Sequence, residues 1–327
     1  MILAGDIGGT KTILALFKLE ENEWICCKKE VFASAEFNSF EALLGVFLRG
    51  EDKACLDSVC IGVAGPVVDG DCCTTNLPWV LKNQDIVNQT GARKVILLND
   101  LEATAWGVLG LSSEHFVELN KDAKQKKGNV AVLAAGTGLG EALVIWSDNK
   151  HHVVATEGGH TDFAPRNELE IGLLRYLLLM YPEHVSNERV ICGQGLVDIY
   201  QYLKSISFAQ VNEEMEALMS KGDAAAVISE KAMQGDDLLS KKALQMFCEL
   251  YGAEAGNLAL KSLPDAGVVL AGGIAAKILP SMKNGDFMKG YLAKGRYKQV
   301  LQEISVKVCL NPEAGLIGAK NFAVKMK

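Results

Sequence analysis

The chain has 327 residues, of which 49% are hydrophobic and 22% charged, and its formal net charge is −7. That length suits two domains with ample buried core, and the acidic balance argues against nucleic acid or an anionic membrane surface as a partner. The longest apolar candidate for a membrane span, Leu173 to Met180, is short and interrupted by Arg175, so no membrane association is expected. The apolar start is too short for a signal core and is broken by Asp6, and the nine cysteines form no C-x-x-C pair. A reduced, cytoplasmic setting is therefore expected.

Ile2 to Ile7 is apolar apart from Gly5 and Asp6, Gly8-Gly9 follows, and Thr12 to Phe17 is apolar again, which predicts strand, tight turn, strand. The turn has the chemistry of a phosphate cradle. Adjacent glycines permit positive φ and close backbone approach, Thr10 and Thr12 offer hydroxyls, and Lys11 offers charge. It fits neither G-x-G-x-x-G nor G-x-x-x-x-G-K-[ST]. A carboxylate at Asp6 facing phosphates points to a cation between them, as with Mg²⁺. Taken alone, the stretch reads equally well as a polar hairpin turn.

Trp24 to Phe32 reads as a third strand, Phe37 to Leu48 as a helix and Val59 to Ala64 as an apolar strand. Asn76 to Trp79 falls in a loop, with Trp79 as core filler or ligand wall. Lys94 to Leu98 is a strand that stops at Asn99-Asp100, before a helical stretch from Leu101 to Leu109. Polar residues at the carboxyl end of a strand lie where open α/β sheets bind ligands; Asp100 is also a favoured N-cap type. Both readings stay open here.

Leu111 to Lys127 turns polar and ends in Lys124-Gln125-Lys126-Lys127, as expected of a solvated connection between two units. Asn129 to Ala135, the turn Gly136-Thr137-Gly138-Leu139-Gly140, and Glu141 to Trp146 then repeat the opening order of strand, turn and strand. A duplicated fold with a phosphate-binding turn in each half is the expectation. His151-His152 is expected to face solvent. Glu157-Gly158-Gly159-His160 brings a carboxylate and an imidazole together, both able to accept hydrogen bonds from a polyol; a plain surface turn is the competing reading. Glu168 to Tyr181 is helical up to Pro182, and Glu188 reads as an exposed charge or a third site carboxylate. Helices fill Gly195 to Leu260, and Gly267 to Ala271 is a strand. Gly272-Gly273 permits close approach of an adenine or ribose. Ile304 to Leu310 reads as a strand and Glu313 to Met326 as an amphipathic helix.

Gly5-Asp6-Ile7-Gly8-Gly9-Thr10, Asn99-Asp100, Gly136 to Gly140, Glu157 to His160, Ser186-Asn187-Glu188-Arg189, Gly272-Gly273-Ile274 and Asn311-Pro312 occur in an order that resembles the bacterial glucokinases. The resemblance spans nearly the whole chain. It implies two actin-like (ribonuclease H-like) α/β domains with a cleft between them, here a small domain at 1–110 plus 311–327 and a large one with helical insertions at 111–310. It implies transfer of the γ-phosphoryl of ATP to the 6-hydroxyl of glucose, a step of glycolysis, in a homodimer. Asp100 is then the general base, and Asn99, Glu157, His160 and Glu188 hold sugar hydroxyls. Gly5, Asp6, Ile7, Gly8, Gly9 and Thr10, with Thr137 and Gly138, hold phosphates; Gly272 and Gly273 lie by the adenosine; Asp6 holds Mg²⁺ through water.

The related ROK kinases share Asp-x-Gly-Gly-Thr-Lys and Glu-x-Gly-His but follow the histidine with a zinc-binding cysteine cluster, whereas Thr161 to Tyr181 contains no cysteine. Lys11 is the feature more typical of that group, and Cys192 stands where many members of the family have serine. The alternatives left open are a kinase for mannose, fructose or an N-acetylhexosamine, a sugar-sensing regulator without catalysis, and an ATPase of the same superfamily that acts on no sugar.

Overall fold

The computed structural model describes residues 1–51, 56–74, 76–124 and 126–326; of the basic run 124–127, Gln125 lies outside the described residues. Contacts divide the chain into two units, Met1–Ser113 with Asn311–Lys327, and Glu114–Leu310.

The first unit opens with β1 (Ile2–Ile7), β2 (Lys11–Glu20) and β3 (Glu23–Ala33), an antiparallel meander in which Ile7 pairs with Thr12. Helix α1 (Phe40–Phe47) starts at Ser39, whose hydroxyl accepts from Ala42 N, and leads to β4 (Ser58–Val63). A small sheet of β5 (Val67–Val68), β6 (Asp71–Cys73) and β7 (Val80–Leu81) follows, then α2 (Asn83–Thr90), β8 (Lys94–Asn99) and α3 (Asp100–Val108). The main sheet has the order β3-β2-β1-β4-β8, with β1, β4 and β8 parallel. Leu3, Ile7, Leu14 and Ile61 pack with Phe40, Phe47 and Trp79 on one face, where each fully buried large side chain contributes about 1.5–3 kcal/mol. Trp79 is core: it is 2% exposed, and its ring nitrogen donates to the Phe37 carbonyl at 3.0 Å.

The second unit begins with β9 (Phe116–Glu118), which pairs antiparallel with β14 (Val306–Cys309) at one sheet edge. The expected solvated connection over Leu111 to Lys127 is corrected there. Glu118 accepts from Val306 N at 2.9 Å, and buried Asn120 donates to Ile304 O at 2.6 Å. A strand of three residues is too short to show an alternation in sequence.

Next come β10 (Val130–Ala135), β11 (Leu139–Ser147) and β12 (Lys150–Thr156), a second antiparallel meander. His151 in it is half-buried against Trp146, with ring centroids 4.6 Å apart, rather than facing solvent; His152 is exposed. The helices α4 (Glu168–Leu178), α5 (Gly193–Ser205), α6 (Glu213–Met219), α7 (Ala224–Gln234) and α8 (Leu238–Ser262) lead to β13 (Gly267–Ala271). After α9 (Gly272–Lys277), α10 (Leu279–Met282), α11 (Asp286–Leu292) and α12 (Lys298–Gln302), β14 completes the sheet. Buried on nearly every side, α8 forms the middle of the core with Leu196, Phe287 and Tyr291.

The strand order is β12-β11-β10-β13-β14-β9, with β10, β13 and β14 parallel. Apart from β9, this repeats the order and directions of the first sheet. The last helix, α13 (Ala314–Lys325), returns to the first unit and covers Ile2, Ala4 and Cys60 with Leu316 and Ala319.

Candidate active site

In the first unit Asp6 lies opposite Gly62, and Val63 lies opposite both Ile7 and Asn99. The Gly8-Gly9 turn and the Asn99-Asp100 corner thus leave the same edge of one parallel sheet, where ligands bind in open α/β folds. Strand alternation decides which side chains serve there. Ile2, Ala4 and Asp6 face α13, so a Cβ on Gly315 would lie 2.8 Å from Asp6 Oδ2. Gly5 and Ile7 face the other way: Ile7 is 1% exposed, and a Cβ on Gly5 would lie 2.7 Å from Ile61 Cδ1 and Leu14 Cδ2. At both positions the side-chain direction is into the core, and Gly5 makes room for packing there.

Two further expectations for this turn change. Neither Gly8 nor Gly9 adopts positive φ; what demands glycine is proximity, since a Cβ on Gly9 would meet Asn76 Cβ at 2.8 Å. Thr12 is fully buried, and its hydroxyl pairs with Ser34 Oγ at 3.0 Å, which donates to Gly8 O at 2.9 Å. It braces the turn from behind, leaving Thr10 and Lys11 exposed. Burial pushes the Asp6 carboxyl up to about 6, with the Lys11 ammonium pulling the other way. Asn76 and Thr74, which line a crevice with Gly8 and Gly9, were not singled out as site residues by sequence; their position in a loop was the only signal.

The cap of α3 is Asn99, not Asp100. Asn99 Oδ1 accepts from Leu101 N at 2.9 Å and its Nδ2 donates to Gly65 O at 3.3 Å, which leaves one amide proton and one lone pair for a ligand. Asp100 is the first residue of the helix and partly exposed, and its Oδ1 also faces Leu101 N at 2.9 Å.

In the second unit Ala134 lies opposite both Gly140 and Ala271, so the Gly136–Gly138 turn and Gly272 also share one sheet edge. Gly136 N donates to Gly138 O at 2.8 Å, and Gly193 N donates to Gly136 O at 3.0 Å, which ties the turn to the start of α5. Cys192 does there what a serine would do, its sulfur accepting from Gly195 N at 3.3 Å. Gly272 has φ +81, and a Cβ on it would lie 2.5 Å from Ala135 O; a Cβ on Gly273 would meet nothing within 4 Å. Close approach of a ligand is possible at Gly273, while Gly272 serves the chain itself.

Glu157 is followed by a single 3-10 turn, Gly158–His160. His160 Nε2 is 3.9 Å from Glu157 Oε2, and His160 Nδ1 is 3.9 Å from Glu188 Oε1. These separations are too long for hydrogen bonds among the three, so their polar atoms can turn to hydroxyls of a ligand. Glu188 is not a surface charge. Its N donates to Gly159 O at 2.9 Å, and its Oε2 accepts from Leu139 N at 2.9 Å. A Cβ on Gly138 would lie 2.3 Å from that oxygen. Glu188 therefore joins the glycine turn to the Glu157–His160 turn, a role that its sequence position does not reveal.

A family model described as Glucokinase matches residues 3–326. The glucokinase of Trichormus variabilis is 41% identical to this chain over 340 aligned residues, covering 100% of this chain and 99% of that protein. A solved glucokinase from an Antarctic psychrotroph superposes with a TM-score of 0.84 at 27% identity, over 99% of this chain and 98% of that one. A ROK family glucokinase from Streptomyces griseus, in complex with glucose and AMPPNP, has the same fold, with a TM-score of 0.67 at 23% identity over 99% of both chains. The paired sheets are those of the actin-like ATPase fold. With a family match over nearly its whole length and a full-length relative at this identity, the chain belongs to the glucokinase family.

Proposed function

We propose that this protein is an ATP-dependent kinase that phosphorylates the 6-hydroxyl of glucose, with Asp100 as general base. The observation that carries the reading is the grouping of Glu157, His160 and Glu188 beside the Gly136–Gly138 turn, a polyol-binding set tied to a glycine turn through one carboxylate. Family membership supports glucose as the hexose, and the AMPPNP complex of the Streptomyces griseus protein supports ATP as donor.

Phosphoryl transfer needs positioning and charge stabilisation more than covalent chemistry. Glu157, His160 and Glu188, with the remaining capacity of Asn99, hold the sugar hydroxyls, and a site built to bond hydroxyls discriminates strongly against analogues that lack them. As the bond from O6 to the γ-phosphorus forms and the bond to the ADP oxygen breaks, the hydroxyl proton passes to the Asp100 carboxylate. ADP leaves with the electron pair. Gly8, Gly9 and Thr10, and Thr137 and Gly138, are proposed to hold phosphates, and Gly273 to approach the adenosine.

Asp6 offers a hard cation one carboxylate, largely buried beneath the glycine turn and adjoining Gly62 and Gly315. A single protein carboxylate with water and phosphate oxygens is how Mg²⁺ is commonly bound. Bound there through water, Mg²⁺ would neutralise phosphate charge.

No helix among the described residues is long and apolar enough to cross a membrane; a cytoplasmic homodimer is proposed on family grounds. Glucose-dependent ADP release by the purified protein tests the function. Activity on an amino sugar or mannose with none on glucose would replace the substrate and keep the mechanism, and sugar-independent ATP hydrolysis would overturn it.

A further inference from the structure

Beneath the Glu157–His160 turn lie two carboxyl groups that the reaction does not use. Glu141 of β11 and Glu254 of α8 are each 1% exposed. Glu254 Oε2 accepts from Asn187 Nδ2 at 2.9 Å and from Asn257 Nδ2 at 2.8 Å. Asn187 precedes Glu188 in the chain, and its Nδ2 also donates to Thr161 Oγ1 at 3.1 Å; that hydroxyl donates to Gly158 O at 2.8 Å. Asn187 N donates to Thr161 O at 2.9 Å. A hydrogen-bonded line thus runs from Glu254 through Asn187 and Thr161 into the turn. Glu141 supports the same turn directly: a Cβ on Gly158 would lie 2.1 Å from Glu141 Oε2.

The pair is also electrostatically specific. Glu141 Oε1 and Glu254 Oε1 are buried and have no hydrogen-bond partner among the described residues, and the charge of Glu254 bears on Glu141. Two ionised carboxylates held near one another inside a protein are costly. We propose that Glu141 and Glu254 are positioning residues that fix Glu157, His160 and Glu188 for hydroxyl binding. The inference rests on the hydroxyl-binding role given to those three residues above.

A pH dependence follows. Burial, then the charge of Glu254, push the Glu141 carboxyl up to about 8, while Lys261 pulls it down. The other groups facing the pair are the Tyr251 phenol of α8, Lys261 of α8 at 3.9 Å from Glu254 Oε1, and Lys294 after α11, which itself feels Arg166 before α4. Below about pH 8 Glu141 stays protonated and the turn is held. Above it Glu141 ionises beside the charge of Glu254 while confined against Gly158.

The glucose KM of the wild type is expected to rise about tenfold between about pH 7 and about pH 9.5, the scale of one lost polar contact, with a much smaller change in the ATP KM. Glu141→Gln cannot ionise, so the rise disappears. Glu254→Ala, which removes the Asn187 acceptor, raises the glucose KM at pH 7 by about tenfold. Hydrogen exchange over 157–161, corrected for intrinsic rate, needs no sugar: protection falls above about pH 8 in the wild type and persists in Glu141→Gln. An alkaline rise unchanged in Glu141→Gln, or wild-type protection indifferent to pH, overturns the inference. Absence of glucose phosphorylation by the wild type overturns the function reading instead, and the exchange measurement still decides this one.

Discussion

The Gly8-Gly9 turn and the Gly136–Gly138 turn leave corresponding strands, β1 and β10, in sheets of like order, but they are braced in different ways. In the first, Gly8 to Lys11 lie between the paired Ile7 and Thr12, and Ser34 and Thr12 hold the turn from the core side. Its acid, Asp6, sits in the strand that feeds it. In the second, only Gly136 to Gly138 lie between the paired Ala135 and Leu139, and the acid, Glu188, arrives from far along the chain to take the Leu139 N–H. One turn keeps its acid beneath it, as suits a cation and phosphates. The other has one backbone donor, Leu139 N, occupied by a carboxylate, which leaves Thr137 and Gly138 to offer donors and directs Glu188 Oε1 toward His160. A shared topology therefore fixes where a turn emerges, and the residues that brace it decide what it binds.

The largest break in that comparison is expected beside the first turn. Asp100→Asn keeps the geometry of the α3 start and removes the proton acceptor, so turnover falls roughly 10²–10⁴-fold while the glucose KM stays within a few-fold. Steady-state kinetics at saturating ATP checks this, and near wild-type turnover would reduce Asp100 to a helix residue. Substituting one glycine in each turn separates their roles. Gly138→Ala forces Glu188 off its bond to Leu139 N, and losing a charge-assisted bond raises the glucose KM roughly ten- to hundredfold. Gly9→Ala displaces Asn76 instead and is expected to raise the ATP KM only a few-fold, leaving the glucose KM unchanged. Equal effects on both substrates in both variants would dissolve the distinction between the turns. The smallest effect is at Gly273, where a methyl group meets open space and alanine favours the helix by about 0.5–1 kcal/mol. Gly273→Ala is expected to keep or slightly raise the melting temperature and to raise the ATP KM about two- to threefold, through contact with a nucleotide. An unchanged ATP KM would remove adenosine from that position.

Much of this was legible in the residues. Both meanders, the parallel strands after them and the Gly272-Gly273 corner stand where the alternation and the glycine pairs put them. Glu157, His160 and Glu188 also come together as a set. Three points needed the structure. Gly5 adjoins Asp6 in the motif, and alternation sets the space its missing side chain would fill against Ile61 and Leu14. Asp100 and Asn99 are both favoured capping types, and only the observed geometry gives the cap to Asn99. Thr12 lies within the turn motif but is claimed by Ser34, across the strand from it.

What the sequence by itself determined is the local plan: which segments are strands, where the chain must turn tightly, and which polar residues sit at strand ends. Those follow from periodicity and backbone sterics, which act over a few residues. Only the tertiary structure decided that Glu188 closes onto Leu139 N, that Phe116–Glu118 finishes the second sheet, and that Glu141 and Glu254 meet under the Glu157–His160 turn. Each of these is a contact between distant segments, set by how helices and sheet pack and by the need to satisfy buried polar atoms, and no spacing within the chain encodes it.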